Sequence, residues 1–250
     1  MDSKVRAEVK KLLLDKLLEK LERNAPKAEY KPFFDAIFNK KQIMLASLIQ
    51  SFYTAFGMSI YEQMAVIIAR GNGNIAERQY KLLGQIDSKT TAIIDKLDVE
   101  LRAGKIKGNA KSETETIKNS IKTSQQERHP DSVVDFYMKT NANEEYYFGI
   151  TTVKPNKEGF ETHKRKLLNW IALRLSQDKN AHVHVATVLP YNPFGHEPYK
   201  RFGSDSLFDK SQFLVQEEFW DFIGGKGTFD ELIKICTEVG FELRKKIDAL

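Results

Sequence analysis

Two apolar runs decide the fold: Val133-Val134-Asp135-Phe136-Tyr137-Met138 and, after a polar turn, Tyr146-Tyr147-Phe148-Gly149-Ile150-Thr151-Thr152-Val153-Lys154. Both runs are rich in β-branched and aromatic residues, which are typical of strands, so together they predict a β-hairpin. Because side chains alternate along a strand, Asp135 lies on the face opposite Val134 and Phe136. Its carboxylate therefore either meets solvent or, if it is buried, needs a partner or a metal ion.

A third strand is predicted at Val183–Leu189, and a helix at about residues 160–175 connects it to the hairpin. The part before the hairpin shows helical periodicity, and further helices are expected after residue 212. This order predicts an α/β (α+β) protein with a mixed sheet flanked by helices. We divide the chain into a largely helical N-terminal region, residues 1–110, and a core with the C-terminal helices, residues 111–250.

The composition is that of a globular chain, with 250 residues of which 41% are hydrophobic. The formal net charge of +5 suits a polyanionic partner but is also common in proteins without one. The single cysteine, Cys236, excludes an internal disulfide, and the sequence has no Cys/His cluster of the zinc-binding kind. Neither a signal peptide nor a membrane-spanning run is recognisable, so we expect a cytoplasmic protein with no membrane partner.

Basic residues follow the hairpin in two places. Lys154 ends the second strand just before a proline, and Lys164, Arg165 and Lys166 fall in the first turns of the following helix. Such a run either faces water, as most charge runs do, or binds phosphate groups. Asn156, between the two places, is a further candidate contact to a nucleic acid.

The segment from Leu189 to Phe202 combines aromatic residues, prolines and bases in a loop. Loops of this composition often bind ligands. Within it, Asn192, Lys200 and Arg201 carry donor groups that suit the base edges or the phosphates of a nucleic acid. The alternative is a surface loop that is stiffened by proline and has no binding role.

Four blocks together resemble the core of the TdeIII/MjaII-type restriction endonucleases. They are the hairpin continued into Thr152-Val153-Lys154-Pro155-Asn156, then Lys164–Trp170, Leu189–Pro193 and Glu218–Gly225, in that order. The resemblance implies a PD-(D/E)xK nuclease fold, a homodimer, Mg²⁺ as cofactor, and hydrolysis of double-stranded DNA at a short palindrome of the GGNCC kind. It also implies a place in a restriction–modification system of a prokaryotic cell. The N-terminal region is then our candidate for dimerisation and for further DNA contacts.

By this resemblance, Asp135 matches the first metal-binding aspartate, whereas the second acid falls at Gly149 and the lysine at Thr151. Metal-assisted hydrolysis of a phosphodiester needs anionic ligands for the metal, and a cation beside it stabilises the charge of the transition state. Glycine offers no side chain here, and threonine offers a neutral hydroxyl. We therefore expect Asp135 to bind Mg²⁺ weakly and the chain to cleave little.

Three explanations are open for the two replaced positions. The chain is a variant altered at Gly149 and Thr151 so that it holds DNA uncut, or it is a natural relative that only binds. In the third, the site has moved, with Lys154 as the cation and Glu158 or Glu161 as the second acid. We favour the first two, because Lys154 lies beyond the strand end and next to a proline.

Overall fold

A five-stranded sheet runs through the computed structural model, which describes residues 1–24, 31–122, 132–151 and 153–248. Its strands lie in chain order: β1 Ile75–Lys81, β2 Val133–Lys139, β3 Glu145–Ile150, β4 Val183–Leu189 and β5 Phe213–Val215. The pairs β1–β2 and β2–β3 are antiparallel, and β3–β4 and β4–β5 are parallel. The hairpin, the third strand and the mixed sheet flanked by helices are thus confirmed.

Helices precede the sheet and connect its strands. They are α1 Ser3–Asn24, α2 Pro32–Ile37, α3 Lys40–Ala55, α4 Tyr61–Gly71, α5 Ser88–Arg102, α6 Ala110–Ser120, α7 Lys157–Gln177, α8 Ser204–Leu207, α9 Glu217–Gly224 and α10 Thr228–Ile247. A π-helical turn, Phe56–Ile60, joins α3 to α4, and a 3₁₀ turn, Lys210–Gln212, precedes β5. Within the described ranges no helix combines the length and apolar character that a membrane span requires.

Each face of the sheet packs against its own group of helices. On one face Phe136 and Phe148 stack with ring centres 5.4 Å apart, in a cluster with α1, α4, α9 and α10. On the other face Tyr137 and Tyr147 pack in a cluster with α5, α6 and α7. Because both faces are covered, the central strands are apolar along most of their length.

Helix α7 links β3 to the parallel strand β4 and therefore has to cross back over the sheet. Six residues separate its first residue from the end of β3, and the last of them, Asn156, caps it by accepting a hydrogen bond from the Gly159 N–H at 2.8 Å. The first turns of α7 consequently lie near the C-terminal end of β3. This is the end at which the sequence places Gly149 and Thr151.

Two strands differ from the expectation. β1 lies in the N-terminal region that was expected to be helical, and β5 occupies residues 213–215, just after the point where helices were expected to begin. β1 is an edge strand that buries Ala76 and exposes polar residues, a pattern that lacks the apolar alternation of a half-buried strand. The domain division at residue 110 stays a prediction, and Thr152 of the quoted blocks lies outside the described residues.

Candidate functional site

Asp135 and Gly149 lie across from each other on the hairpin β2–β3. The register pairs Phe136 with Phe148, and its next step brings Asp135 opposite Gly149. Opposed residues of an antiparallel pair point to the same face, which here is the face covered by α7. The backbone N–H of Ile150 donates a hydrogen bond of 2.8 Å to Oδ2 of Asp135, so the carboxylate is fixed at the end of β3.

Burial dominates the electrostatics of Asp135. The side chain is half-buried, and this burial raises the pKa of its carboxyl group above the usual value. The hydrogen bond from Ile150 and the charge of Lys166 act in the opposite direction. Asp135 is thus neither fully solvated nor ion-paired within the described part of the chain, but held by one backbone donor with a lysine nearby.

Glu62, in the first turn of α4, is a second carboxylate, and the charge of Asp135 affects its pKa. Burial raises the pKa of Glu62, and the negative charge of Asp135 raises it further. The Glu62 oxygens accept hydrogen bonds from Nε of Arg78 at 3.1 Å and from Nε2 of Gln79 at 2.8 Å. Both oxygens of Glu62 are therefore tied to β1.

The side-chain position of Gly149 points at α7. A Cβ atom there would lie 3.3 Å from Nδ1 of His163 and 3.3 Å from Cη2 of Trp170, so a larger residue requires both neighbours to move by a few tenths of an ångström. Thr187 of β4, paired with Gly149, is fully buried. Nδ1 of His163 and Oγ1 of Thr187 are buried without a hydrogen-bond partner in the described ranges. Such orphaned atoms are uncommon and mark Gly149 as a polar position within an apolar layer.

Thr151 and Lys154 lie at the mouth of a cleft of about 810 Å³ between the end of β3 and the junction of α3 with α4. Tyr53 and Tyr61 line the opposite wall. Lys154 is exposed, with its Nζ 5.7 Å from the ring centre of Phe194. A larger cavity of about 960 Å³ lies against α2 and α3, but none of its lining residues comes from the hairpin.

The structure corrects the prediction for Lys164, the first residue of the basic run on α7. It was expected to line a phosphate, but it is fully buried. Its Nζ donates hydrogen bonds to both oxygens of Glu113, at 2.7 and 2.8 Å, and to Oε1 of Gln212 at 2.7 Å. Burial lowers the pKa of Lys164, and the neighbouring carboxylate of Glu113 opposes this. Lys164 therefore ties α7 to α6 and is not accessible to DNA.

The next two residues of the run differ from Lys164 and from each other. The guanidinium of Arg165 forms ion pairs with Asp95 and, at 3.2 Å, with Asp98 on α5. Lys166 is half-buried and has no carboxylate within ion-pair distance in the described part of the chain. Arg165 is therefore compensated by the protein itself, and Lys166 retains its charge for a ligand.

The loop after β4 lies against the end of β3. The hydroxyl of Tyr199 donates a 3.0 Å hydrogen bond to the carbonyl of Val153. Lys200 is exposed, and the guanidinium of Arg201 lies 4.8 Å from the ring centre of Phe202. The loop thus brings two cations to the same end of the sheet as Lys154.

The two asparagines predicted as DNA contacts, Asn156 and Asn192, both bond to the backbone, and their role as contacts stays a prediction. Asn156 is the cap of α7. The Asn192 amide donates to the carbonyl of Glu197 at 2.7 Å, and its oxygen accepts from the N–H of Phe194 at 3.1 Å. These contacts give both side chains a role in shaping the loops that carry the nearby cations.

The donor set does not fit a Mg²⁺ ion held by two acids. No group of three or more His, Cys, Asp or Glu side chains is suitably placed within the ranges that the structure describes. Asp135 contributes one carboxylate, and one of its oxygens is already hydrogen-bonded. For the alternative of a moved site, Glu161 forms ion pairs with Arg102 at 3.2 Å and Lys157 at 3.8 Å, which compensate its charge.

Sequence reasoning missed His163, Thr187 and the link from Glu62 to Asp135. The spacing of His163, Lys166 and Trp170, three and four residues apart, signals one common helix face. For Thr187 no such signal exists, because the pairing of β3 with β4 depends on where α7 returns the chain.

Comparison with known proteins gives one consistent result. A family model described as a type II restriction endonuclease, HinfI, matches residues 1–240. HgiCII and HgiEI of Herpetosiphon aurantiacus, both type II restriction enzymes, are 26% identical, over 88% and 85% of this chain and 82% and 78% of their own lengths. MjaII of Methanocaldococcus jannaschii, also a type II restriction enzyme, is 23% identical over 83% of this chain and 58% of its own length. No solved structure matches the chain. The resemblance drawn from the four sequence blocks is confirmed.

Proposed function

Because the chain belongs to the HinfI family of type II restriction endonucleases, we propose that it binds double-stranded DNA at a short palindrome as a homodimer and cleaves it slowly or not at all. One observation supports the proposal: the register brings Asp135 opposite Gly149, the position that the family resemblance assigns to the second acid. The neighbouring Thr151 supplies no cation at the mouth of the cleft.

The cations that remain support binding. Lys154 lines the cleft at the end of β3. Lys200 and Arg201 follow Tyr199, whose hydroxyl bonds to the carbonyl of Val153. Binding to phosphates by such residues releases counterions, so the affinity must fall steeply with salt. Asp135 is the residue we assign to Mg²⁺, and a single half-buried carboxylate supports weak metal binding at most.

The buried polar atoms near Gly149 also support the proposal that an acid is absent from position 149. The partnerless Nδ1 of His163 lies 3.3 Å from the Cβ position of residue 149, and Thr187, whose Oγ1 is also partnerless, is the strand partner of Gly149. A carboxylate at position 149 would bring acceptor atoms to this side of the sheet. The surroundings of Gly149 therefore suit an acid better than a glycine. This favours a chain that lost the acid from an otherwise unchanged site over one whose site moved elsewhere.

The restoring experiment combines Gly149→Glu with Thr151→Lys, and incubates the variant with plasmid DNA and Mg²⁺. We expect discrete fragments from this variant and none from the parent. Gly149→Gln with Thr151→Lys is the matched control, since it has the same size and one charge fewer at position 149. Fragments from the parent, with none from the restored variant, would show that the site lies elsewhere and overturn the proposal.

An apolar surface on α2 and α3 supports the homodimer. Phe33, Ile37 and Tyr53 are 81%, 72% and 62% exposed there, values that are unusual for large apolar side chains on one short stretch. Tyr53 also lines the cleft beside Thr151. A second copy docked on this surface would set its own cleft alongside the first, as a two-fold palindrome requires.

The dimer is tested by light scattering after size-exclusion chromatography. Phe33→Glu with Ile37→Glu should yield monomers at concentrations where the parent is a dimer. Phe241→Glu is the control, because Phe241 is 61% exposed and lies on α10, which packs against α1 and α9. A parent that elutes as a monomer, or a double variant that still dimerises, would exclude this interface.

A further inference from the structure

Two contacts at Gly149 fix which side of α7 faces the hairpin. His163 and Trp170 each approach the Cβ position of Gly149 to 3.3 Å. They are seven residues apart, which is two turns of an α-helix, so they lie on one face. This face of α7 covers Asp135, because Asp135 and Gly149 are opposed on the same side of the sheet.

Lys166 belongs to that face as well. It lies one turn after His163 and one turn before Trp170, so its stem leaves the helix between them. The charge of Lys166 lowers the pKa of Asp135 and, after burial, that of His163. The helical spacing brings the ammonium group to the edge of the site beside His163, and both pKa directions agree with this position.

Lys166 also differs from Lys164 and Arg165 in that no ion pair within the described ranges neutralises its positive charge. Lys164 is inside a buried ion pair with Glu113, and Arg165 is paired with two aspartates of α5. The structure shows no ion pair for Lys166 in the described ranges, and the side chain is half-buried. A cation that is partly desolvated and unpaired interacts strongly with an anion that reaches it.

We infer that Lys166 supplies, from α7, the positive charge that a lysine at position 151 would supply from β3, and that it contacts the phosphate nearest Asp135. This inference rests on the proposed function and names a residue within its site. A lysine is a point charge on a flexible stem, so it can reach the same phosphate from a helix as from a strand. With Thr151 neutral, Lys166 is the cation that the described structure offers beside Asp135.

The first test measures binding without metal. Binding of linear plasmid fragments in EDTA is followed across a salt series for the parent, Lys166→Met, Lys166→Arg and Lys96→Met. Loss of one phosphate contact lowers the slope of log K against log [salt] by about 0.9 for each protomer. We expect that change for Lys166→Met, and the parental slope for Lys166→Arg and for Lys96→Met, whose lysine is exposed on α5.

The second test asks whether one restored position suffices. If Lys166 is the cation, Gly149→Glu alone should cleave plasmid with Mg²⁺, and adding Lys166→Met should abolish this. The inference is overturned if cleavage requires Thr151→Lys in addition, or if Lys166→Met keeps the parental salt slope. A parent that does not bind at low salt overturns the proposed function itself, so the two failures are distinguishable.

Discussion

Replacing Lys164 by methionine tests the reassignment of this residue from DNA contact to buried ion pair. Methionine keeps most of the volume of the stem and removes the charge. The carboxylate of Glu113 would then stay buried with two hydrogen bonds, from Nε2 of Gln212 at 2.8 Å and the N–H of Asn109 at 3.0 Å. Both donors are neutral, so the negative charge is left uncompensated.

Breaking a buried ion pair on one side costs about 3–5 kcal/mol. In a domain of this size each kcal/mol shifts the unfolding midpoint by roughly 2–4 °C, so we expect Tm to fall by roughly 6–20 °C. Glu113→Gln in the same chain removes the unpaired charge. The double variant should therefore be more stable than the two single losses added together, by a coupling of roughly 0.5–3 kcal/mol.

The assay is thermal and urea unfolding followed by circular dichroism, with the salt dependence of DNA binding measured below the transition. Lys164→Met should unfold earlier and, while folded, keep the parental salt slope. Suppose instead that the variant unfolds with the parental midpoint and that its slope of log K against log [salt] falls by about 0.9 for each protomer. Lys164 would then be a phosphate contact. That result would refute the burial argument.

Two further predictions follow from single contacts. Burial, helped by Lys166, lowers the pKa of His163 to about 4. Between about pH 6.5 and about pH 4 the unfolded chain thus binds a proton that the folded chain does not, and this lowers the stability by up to about 3 kcal/mol on acidification. In urea titrations against pH, His163→Asn should lose this part of the slope, and equal slopes would contradict it. Asn156→Ala should lower the free energy of unfolding by about 1 kcal/mol, since it removes the cap of α7. Its salt slope for DNA binding should match that of the parent, and a lower slope would restore Asn156 as a contact.

The elements with a strong apolar pattern could be predicted from the sequence. The hairpin and β4 consist of runs of β-branched and aromatic residues, and α7 shows apolar residues at helical spacing. These patterns are strong because each element buries apolar side chains in the core. β1 could not be predicted, since an edge strand buries little and is stabilised mainly by pairing with β2. Its place in the sheet depends on contacts far apart in the chain.

For the basic run, the sequence holds more information than its charges suggest. Lys164 is four residues after Phe160 and four before Leu168, both of which are buried, so helical periodicity assigns it to the buried face. Lys166 falls on the face of His163 and Trp170. Successive helical residues point about 100° apart, so three adjacent bases cannot share one role. Their common charge suggests one role for the three residues, whereas the helical periodicity assigns each of them to a different face of α7.

The same geometry shows what a glycine at position 149 does for its surroundings. An acid at position 149 would stand on the same face as Asp135 and directly opposite it, and two close carboxylates repel unless a cation lies between them. Glycine removes this repulsion, and the single carboxylate keeps the Ile150 N–H as its partner. With glycine at this position, however, Nδ1 of His163 and Oγ1 of Thr187 stay without a hydrogen-bond partner in the described structure. Glycine in place of an acid would therefore exchange a repulsion that only a bound cation relieves for two unsatisfied neutral atoms, each of which carries its own cost.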